Sequence, residues 1–148
     1  MTEVIFYHLS ASTMEKAAPR LLEKIVEADN RAILYLENDE QISKYNDLLW
    51  TFGSRSFLAH GCDKDPFPHL QPIFLTKDQS NPNNANIVIT LSGIEIPHIN
   101  DFAKSIDIFD GNDNEQLEAA RARYKKYKQN GFSLTYWKQD EAGSWQKG

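Results

Sequence analysis

The residues of this sequence best suited to binding chemistry are cations near its carboxyl end. Arg121, Lys125 and Lys128 are spaced i, i+4 and i+7, so a helix through them presents one basic stripe, with Tyr124 at its edge. Guanidinium and ammonium groups beside an aromatic ring suit an acidic peptide or a phosphate. Because the chain carries a net charge of −5, the peptide is the better match. A merely solvated helix face stays open as the alternative.

A second candidate surface is aromatic and lies near the middle of the chain. Trp50, Phe52 and Phe57 flank the turn residue Gly53. Core packing is the usual role of such side chains. If they are exposed, they form an anchor patch for a partner protein, since Trp is enriched among interface hot spots.

The sequence gives less support to a metal site, a nucleotide-binding site or a catalytic nucleophile. His60, Cys62 and His69 lie within ten residues, but structural zinc usually takes four ligands at shorter spacing, so we predict no metal site. The chain contains no glycine before Gly53, so the first strand-to-helix junction lacks a nucleotide-binding glycine motif. We find no catalytic constellation, and we predict neither an enzyme nor a cofactor.

The elements that must position these residues alternate along the chain. An apolar run at residues 4–9 predicts a buried strand, and a helix follows, with Ser12 and Glu15 spaced as a capping box. Pro19 falls inside that helix and should bend or delay it. The sequence then predicts a second strand at residues 32–36 and a second helix up to residue 53. This alternation of strands and helices indicates a parallel sheet with crossover helices.

The rest of the chain continues the pattern. Residues 54–86 should be mostly loop with one or two short strands, and a buried strand should follow at residues 86–91. We then expect a helical turn at residues 100–104 and a further short strand at residues 106–109. Asp113 and Gln116 form a second capping box at the start of the basic helix, which should stop at Gly131. Strands at residues 132–137 and around Trp145 close the chain. The predicted fold is a three-layer α/β sandwich, and its predicted core is Ile5, Leu22, Leu34, Ile87, Val88 and Ile89.

Length and composition agree with such a fold. The chain has 148 residues, of which 41% are apolar and 25% charged, so we expect a single domain over residues 1–148. It contains one cysteine, no run near the ~20 apolar residues of a spanning helix and no leader-like start. We expect a cytoplasmic protein with no membrane contact.

These features resemble the chi subunit of the bacterial DNA polymerase III holoenzyme. The resemblance runs nearly end to end, and its motifs keep their order and spacing. They are Ile5-Phe-Tyr-His-Leu, Leu49-Trp-Thr-Phe, Ser56-Phe-Leu-Ala-His-Gly, Asn81-Pro-Asn, Ile106-Asp-Ile-Phe-Asp-Gly and Ala119-Ala-Arg-Ala-Arg-Tyr-Lys-Lys-Tyr-Lys.

The resemblance implies a Rossmann-like fold, a mostly parallel sheet flanked by helices, in a non-catalytic replisome adapter without cofactors or metals. The acidic C-terminal tail of single-stranded DNA-binding protein (SSB) would bind at Arg121, Tyr124, Lys125, Lys128 and Phe109. A second surface, for the psi subunit of the clamp loader or an alternative helicase partner, matches at Trp50 and Phe57. Some members carry a lysine where this chain has Leu117, which implies a weaker tail site.

Two other functions remain open on the residues alone. One is a small α/β protein or enzyme that binds a phosphorylated ligand on the same basic helix. The other is direct binding of single-stranded DNA, for which only Tyr124 and Tyr127 offer stacking rings beside the cations. We expect no strong nucleic-acid binding, because the chain is acidic overall.

Overall fold

One sheet organises the computed structural model of the chain, which describes residues 2–51, 60–62, 71–78, 81–91 and 99–147. Within these residues the sheet has eight strands in the order β3-β4-β2-β5-β6-β1-β7-β8. Every neighbouring pair is parallel except β7 and β8, which form an antiparallel hairpin. The strands are β1 (Glu3–Leu9), β2 (Ala32–Tyr35), β3 (His60–Cys62), β4 (Ile73–Thr76), β5 (Ile87–Leu91), β6 (Lys104–Asp110), β7 (Ser133–Gln139) and β8 (Trp145–Lys147).

The helices of the described residues cover the sheet from both sides. From β1 the chain moves toward one edge through α1 (Met14–Glu27) and α2 (Asp39–Thr51), and from β6 it moves toward the other edge through α3 (Asn114–Gln129). Because crossovers are right-handed, this reversal of direction places α3 on the face opposite α1 and α2. The structure thereby confirms a three-layer α/β fold with a mostly parallel sheet.

Each face of the sheet has its own apolar core, because side chains alternate along each strand. Ile5 packs with α1 and α2, whereas its neighbour Phe6 packs with α3. The strands β2, β4 and β5 are apolar almost without interruption, as expected where helices cover both faces. The predicted core is confirmed, since all of its members are buried: Ile5, Leu22, Leu34, Ile87, Val88 and Ile89.

The start of α1 differs from the prediction. Thr13 takes the N-cap position without a capping bond from its side chain, and Ser12 instead binds Gln139. The capping box of Ser12 and Glu15 is therefore wrong. Pro19 does not delay the helix, because α1 begins at Met14 and continues past the buried proline.

Both ends of α3 follow the sequence signals. The Asp113 carboxylate accepts hydrogen bonds from the backbone N–H groups of Glu115 and Gln116, which confirms the N-cap. The Gln116 side chain does not return to Asp113, however, but accepts a bond from the N–H of Asp110. At the other end Gly131 has φ +84°, and the N–H of Phe132 donates to the carbonyl of Tyr127. This is a Schellman stop, which favours glycine because its φ is positive.

Other local predictions are confirmed or corrected by the described residues. The middle of the chain contributes the two short strands β3 and β4, and β8 forms around Trp145 as expected. The helical turn predicted at residues 100–104 is instead a 3-10 helix at Ile99–Asp101, and β6 already begins at Lys104. Among the residues that the structure describes, no helix has both the length and the apolar character needed to cross a bilayer.

Candidate functional site

The basic stripe lies on the outer surface of α3. Arg121, Lys125 and Lys128 are exposed, and Tyr124 beside them is half-buried. The capped ends of α3 fix its position on the sheet, and Ala120 anchors its inner face. The structure thus brings four of the five residues predicted for tail binding to one surface.

An aromatic cleft lies between α3 and β7, next to the stripe. The ring of Tyr124 stands edge-on to that of Tyr136, with centroids 6.0 Å apart, and 5.5 Å from the ring of Phe6. Phe6 stacks against Tyr136 at 6.2 Å and 23°. Offset and edge-to-face pairs of this kind hold the rings in fixed positions. The half-buried edges of Tyr124 and Tyr136 are the part of this cleft that a ligand can reach.

Phe109, the fifth predicted residue, lies beneath the cleft. It is fully buried, and its ring lies 5.1 Å from that of His8 and 6.2 Å from that of Tyr136. A ligand on the surface would contact Tyr136 rather than Phe109. The role of Phe109 in this arrangement is to support the rings above it.

His8 joins the cleft to the carboxyl end of the sheet. Its Nδ1 lies 2.6 Å from the hydroxyl of Tyr136, and the other side of its ring packs so closely on Gly111 that a Cβ there would lie 1.9 Å from Nε2. Gly111 is thus a glycine because the imidazole occupies the space of a side chain. Burial lowers the pKa of His8, and the charges of Lys138 and Arg121 lower it further, whereas Asp110 opposes them. A neutral imidazole is favoured in the free protein.

Lys138 adds a cation from the sheet. It pairs in register with His8 across β1 and β7, and it lies on the same face of β7 as Tyr136, two residues away. His8, Tyr136 and Lys138 were not predicted as site residues. Their placement depends on the pairing of β1 with β7, and the two strands are about 130 residues apart in the sequence.

One acid lies within the stripe. Glu118 Oε1 is 3.4 Å from a guanidinium nitrogen of Arg121, and both side chains are about two-thirds or more exposed, at 73% and 67%. Such a pair is worth well under ~1 kcal/mol in water. Arg121 is therefore available to a stronger anion at little energetic cost.

Arg123 does not belong to the exposed basic surface, although the sequence places it among the cations of α3. Its side chain is turned inward and forms two hydrogen bonds to Asp107 on β6, of 2.7 and 3.0 Å. Both side chains are buried, at 5% and 4% exposure. Burial raises the pKa of Asp107, and the hydrogen bonds and charge of Arg123 act against this rise. The pair fastens α3 to the sheet, so the Arg123 guanidinium is not available to a ligand on the surface.

The loop between β1 and α1 is the place where Rossmann-like proteins hold a phosphate, and here a side chain of the chain itself fills it. The Oε1 atom of Gln139 accepts hydrogen bonds of 3.0 Å from three successive backbone N–H groups, those of Ser10, Ala11 and Ser12. Its amide nitrogen donates to the Ser12 hydroxyl. The donors that would bind a phosphate in this loop are thus already bonded.

The second predicted surface is described only in part. Trp50 lies at the end of α2 and is 53% exposed, the large apolar side chain that stands out on the described surface. Its ring packs on that of His60 at 4.5 Å, and His60 Nε2 lies 3.1 Å from Oδ1 of Asn46. Phe57 and the candidate ligand His69 lie outside the described residues. Among the described residues no group of three or more His, Cys, Asp or Glu is arranged to hold a metal ion.

Comparison with known proteins agrees with the resemblance in the motifs. Residues 1–135 match the family described as DNA polymerase III chi subunit, HolC. A curated relative, the probable DNA polymerase III subunit chi of Rickettsia prowazekii (strain Madrid E), is 32% identical over 109 residues, which cover 74% of this chain and 66% of the relative. The aligned region is thus just under two thirds of the relative's length. The family match ends inside β7, before Tyr136.

Proposed function

The chain belongs to the family of DNA polymerase III chi subunits, and on that premise we propose that it is a non-catalytic adapter in DNA replication. In this proposal α3 binds the acidic C-terminal tail of SSB. A second surface at Trp50 joins the chain to the clamp-loader assembly, through a psi subunit or an alternative helicase partner.

The observation that carries the proposal is the basic stripe beside a half-buried aromatic cleft. Arg121, Lys125 and Lys128 concentrate positive charge on one surface of a protein whose net charge is −5. Exposed cations attract acidic groups, and the adjacent rings of Tyr124 and Tyr136 offer apolar contact. An acidic peptide that ends in an aromatic residue has both of these properties.

The geometry suggests how such a tail binds. Arg121 lies close enough to Tyr136 for its charge to lower the pKa of that phenol, although burial raises that pKa overall. A terminal carboxylate paired with the planar guanidinium would place the last side chain of the tail over Tyr124 and Tyr136. Acidic residues further back in the tail would then meet Lys125 and Lys128. Phe109 supports the rings from below without touching the ligand.

The second surface is compatible with simultaneous binding. Trp50 lies on α2, and α2 and α3 are on opposite faces of the sheet. A partner anchored on Trp50 therefore does not compete with a peptide on Arg121. That separation is what an adapter between two proteins requires.

The alternative functions have weaker support. A phosphorylated ligand would use the same cations, but the backbone donors of the loop between β1 and α1 are bonded to Gln139. Stacking of single-stranded DNA needs exposed rings, and Tyr127 packs on Phe6 and Phe132 instead. We therefore assign the stripe to an acidic peptide.

A titration distinguishes these functions. The full chain is titrated with an acidic peptide ending in Phe, with the same peptide lacking that Phe, and with a panel of nucleotides and single-stranded oligonucleotides. Saturable binding of the first peptide, at least tenfold weaker binding of the second and no saturation by the panel are the expected results. Lys126→Ala is the matched control, because it removes one charge from α3 about 140° around the helix from Arg121. Equal binding of both peptides, or tighter binding of a nucleotide, would contradict the proposal.

A further inference from the structure

One strip of the sheet, on the side of α1 and α2, forms the floor of a groove beside α1. On the side of α1 and α2, α1 packs on β2 and β6, and α2 packs on β3 and β4. On β1, Ile5 and Leu9 are buried in the core that α1 and α2 complete. The rings of Tyr7, Trp137 and Trp145, on β1, β7 and β8, are only half-buried on the same side.

The strip is lined by aromatic side chains. Tyr7 and Trp137 are register partners on β1 and β7, and the ring of Trp145 on β8 stands edge-on to Tyr7 with centroids 5.0 Å apart. All three are half-buried and pack at the margin of the core. Together with Leu21 of α1 they border a groove of about 600 Å³. A groove of this shape and composition fits the apolar face of a helix.

The helix that forms one wall of the groove is basic where it is exposed. Arg20 and Lys24 project from α1 at the groove, and within the described part of the chain neither forms an ion pair. Lys147 lies on the same face of the sheet as Trp137, its register partner. Two acids share this surface: Glu23 borders the groove, and Glu3 on β1 accepts a hydrogen bond from Thr135. Both acids are half-buried, whereas Arg20, Lys24 and Lys147 are exposed. The exposed charge beside the groove is therefore positive, on a protein of net charge −5, and favours an acidic occupant.

We propose that this groove is a docking surface for an acidic amphipathic helix of a partner protein. The partner helix would lie beside α1 and cover the half-buried rings on β1, β7 and β8. Its apolar stripe would contact Tyr7, Trp137 and Trp145, and its flanking carboxylates would pair with Arg20 and Lys24. The surface is separate from the peptide site on α3, which lies on the other face of the sheet. Trp137 and Trp145 also lie beyond the part of the chain that matches the family.

The test selects the occupant without assuming its sequence. A display library of 18-residue segments, tiled across the proteome of the cell that makes the chain, is panned on the full chain carrying Trp50→Phe and Arg121→Ala, so that segments that depend on the peptide site of α3 are not selected. The sequence has three tryptophans, so in this variant the emission comes only from Trp137 and Trp145. The most enriched segment is then synthesised and titrated while tryptophan emission is followed.

The expected result is an acidic segment with apolar residues at helical spacing that shifts the emission to shorter wavelength. Its affinity should fall at least tenfold in Trp145→Ala and in the double variant Arg20→Glu/Lys24→Glu, and stay unchanged when Arg121 is restored. The double variant keeps the test valid if Trp145→Ala fails to fold, because it alters exposed residues only. Enrichment of basic or non-helical segments, of segments insensitive to the double variant, or of none would overturn the proposal. Self-association of the chain that the double variant abolishes would also overturn it.

Discussion

The replacement of Arg121 by Ala tests the proposed peptide site at its most specific residue. A hydrogen bond to a charged group is worth about 1.5–3 kcal/mol. In the free protein Arg121 contacts Glu118 at 3.4 Å, and a bound carboxylate must displace that weak pair. We therefore expect a loss near the lower end of the range, about 1.5–2 kcal/mol, which corresponds to roughly a 10- to 30-fold rise in the dissociation constant.

Two further variants separate geometry from charge. Arg121→Lys keeps the charge but not the planar fork, so it should restore only part of the affinity. Glu118→Gln removes the competing acid and should tighten binding slightly, by no more than ~1 kcal/mol. The unfolding midpoint should change little in all three variants, because the Arg121 side chain is 67% exposed and Ala and Lys are good helix formers.

Fluorescence anisotropy with a labelled acidic peptide that ends in Phe measures these affinities. The series is repeated between 50 and 300 mM salt, and affinity should fall as the Debye length shortens. Lys126→Ala, on the same helix, should bind like the parent chain. If Arg121→Ala also binds like the parent chain, Arg121 does not contact the carboxylate and the assignment of the α3 surface fails.

Three other perturbations test other parts of the structure. Trp50→Ala should weaken the complex with the psi or helicase partner by at least ~2 kcal/mol, measured by calorimetry, and leave the unfolding midpoint nearly unchanged; a large loss of stability alone would instead show a packing role. Arg123→Met should lower the free energy of unfolding, measured in urea, by about 3–5 kcal/mol, because it leaves Asp107 unpaired in the core. The double variant with Asp107→Leu should recover most of that loss, and equal free energies of unfolding in the single and double variants would refute this reasoning. Burial and neighbouring cations lower the pKa of His8 in the folded chain, so this imidazole is protonated at a higher pH in the unfolded chain. The free energy of unfolding should therefore fall as the pH drops below about 6.5. In the proposed complex the carboxylates of the acidic peptide would raise the pKa of His8. The affinity should therefore increase between pH 7 and pH 5.5 in the parent chain but not in His8→Gln, and a flat profile in both would show that the peptide does not approach His8.

Much of the fold follows from local signals in the sequence. The apolar runs at β1, β2 and β5 predict buried strands, and the cap residues Asp113 and Gly131 fix both ends of α3 to within a residue. These signals depend on residues within one or two turns of each other, so they can be read without tertiary structure. The basic stripe is predictable for the same reason, since it lies on one helix.

The residues that complete the site could not be predicted, because they come together only through the sheet. The bond between His8 and Tyr136 joins residues 128 positions apart, and it requires β1 to pair with β7 rather than with β2. The inward turn of Arg123 depends on a carboxylate of β6 that helix periodicity alone does not reveal. Ser12 shows the same limit: its spacing to Glu15 fits a capping box, but Gln139 from the far end of the chain binds it instead.

The bonds of Gln139 show how a fold that often binds nucleotides fits the adapter role that we propose for this chain. In such folds the loop after the first strand leaves its backbone N–H groups open to a phosphate. Here one side-chain oxygen accepts three of these bonds, so the loop is complete without a ligand and is held to the end of β7. Because Gln139 follows Lys138 in the chain, the same contact fixes the end of the strand that contributes Tyr136 and Lys138 to the α3 cleft. The function that we propose therefore uses the outer surface of α3, where an extended peptide has room to lie, and not the carboxyl edge of the sheet.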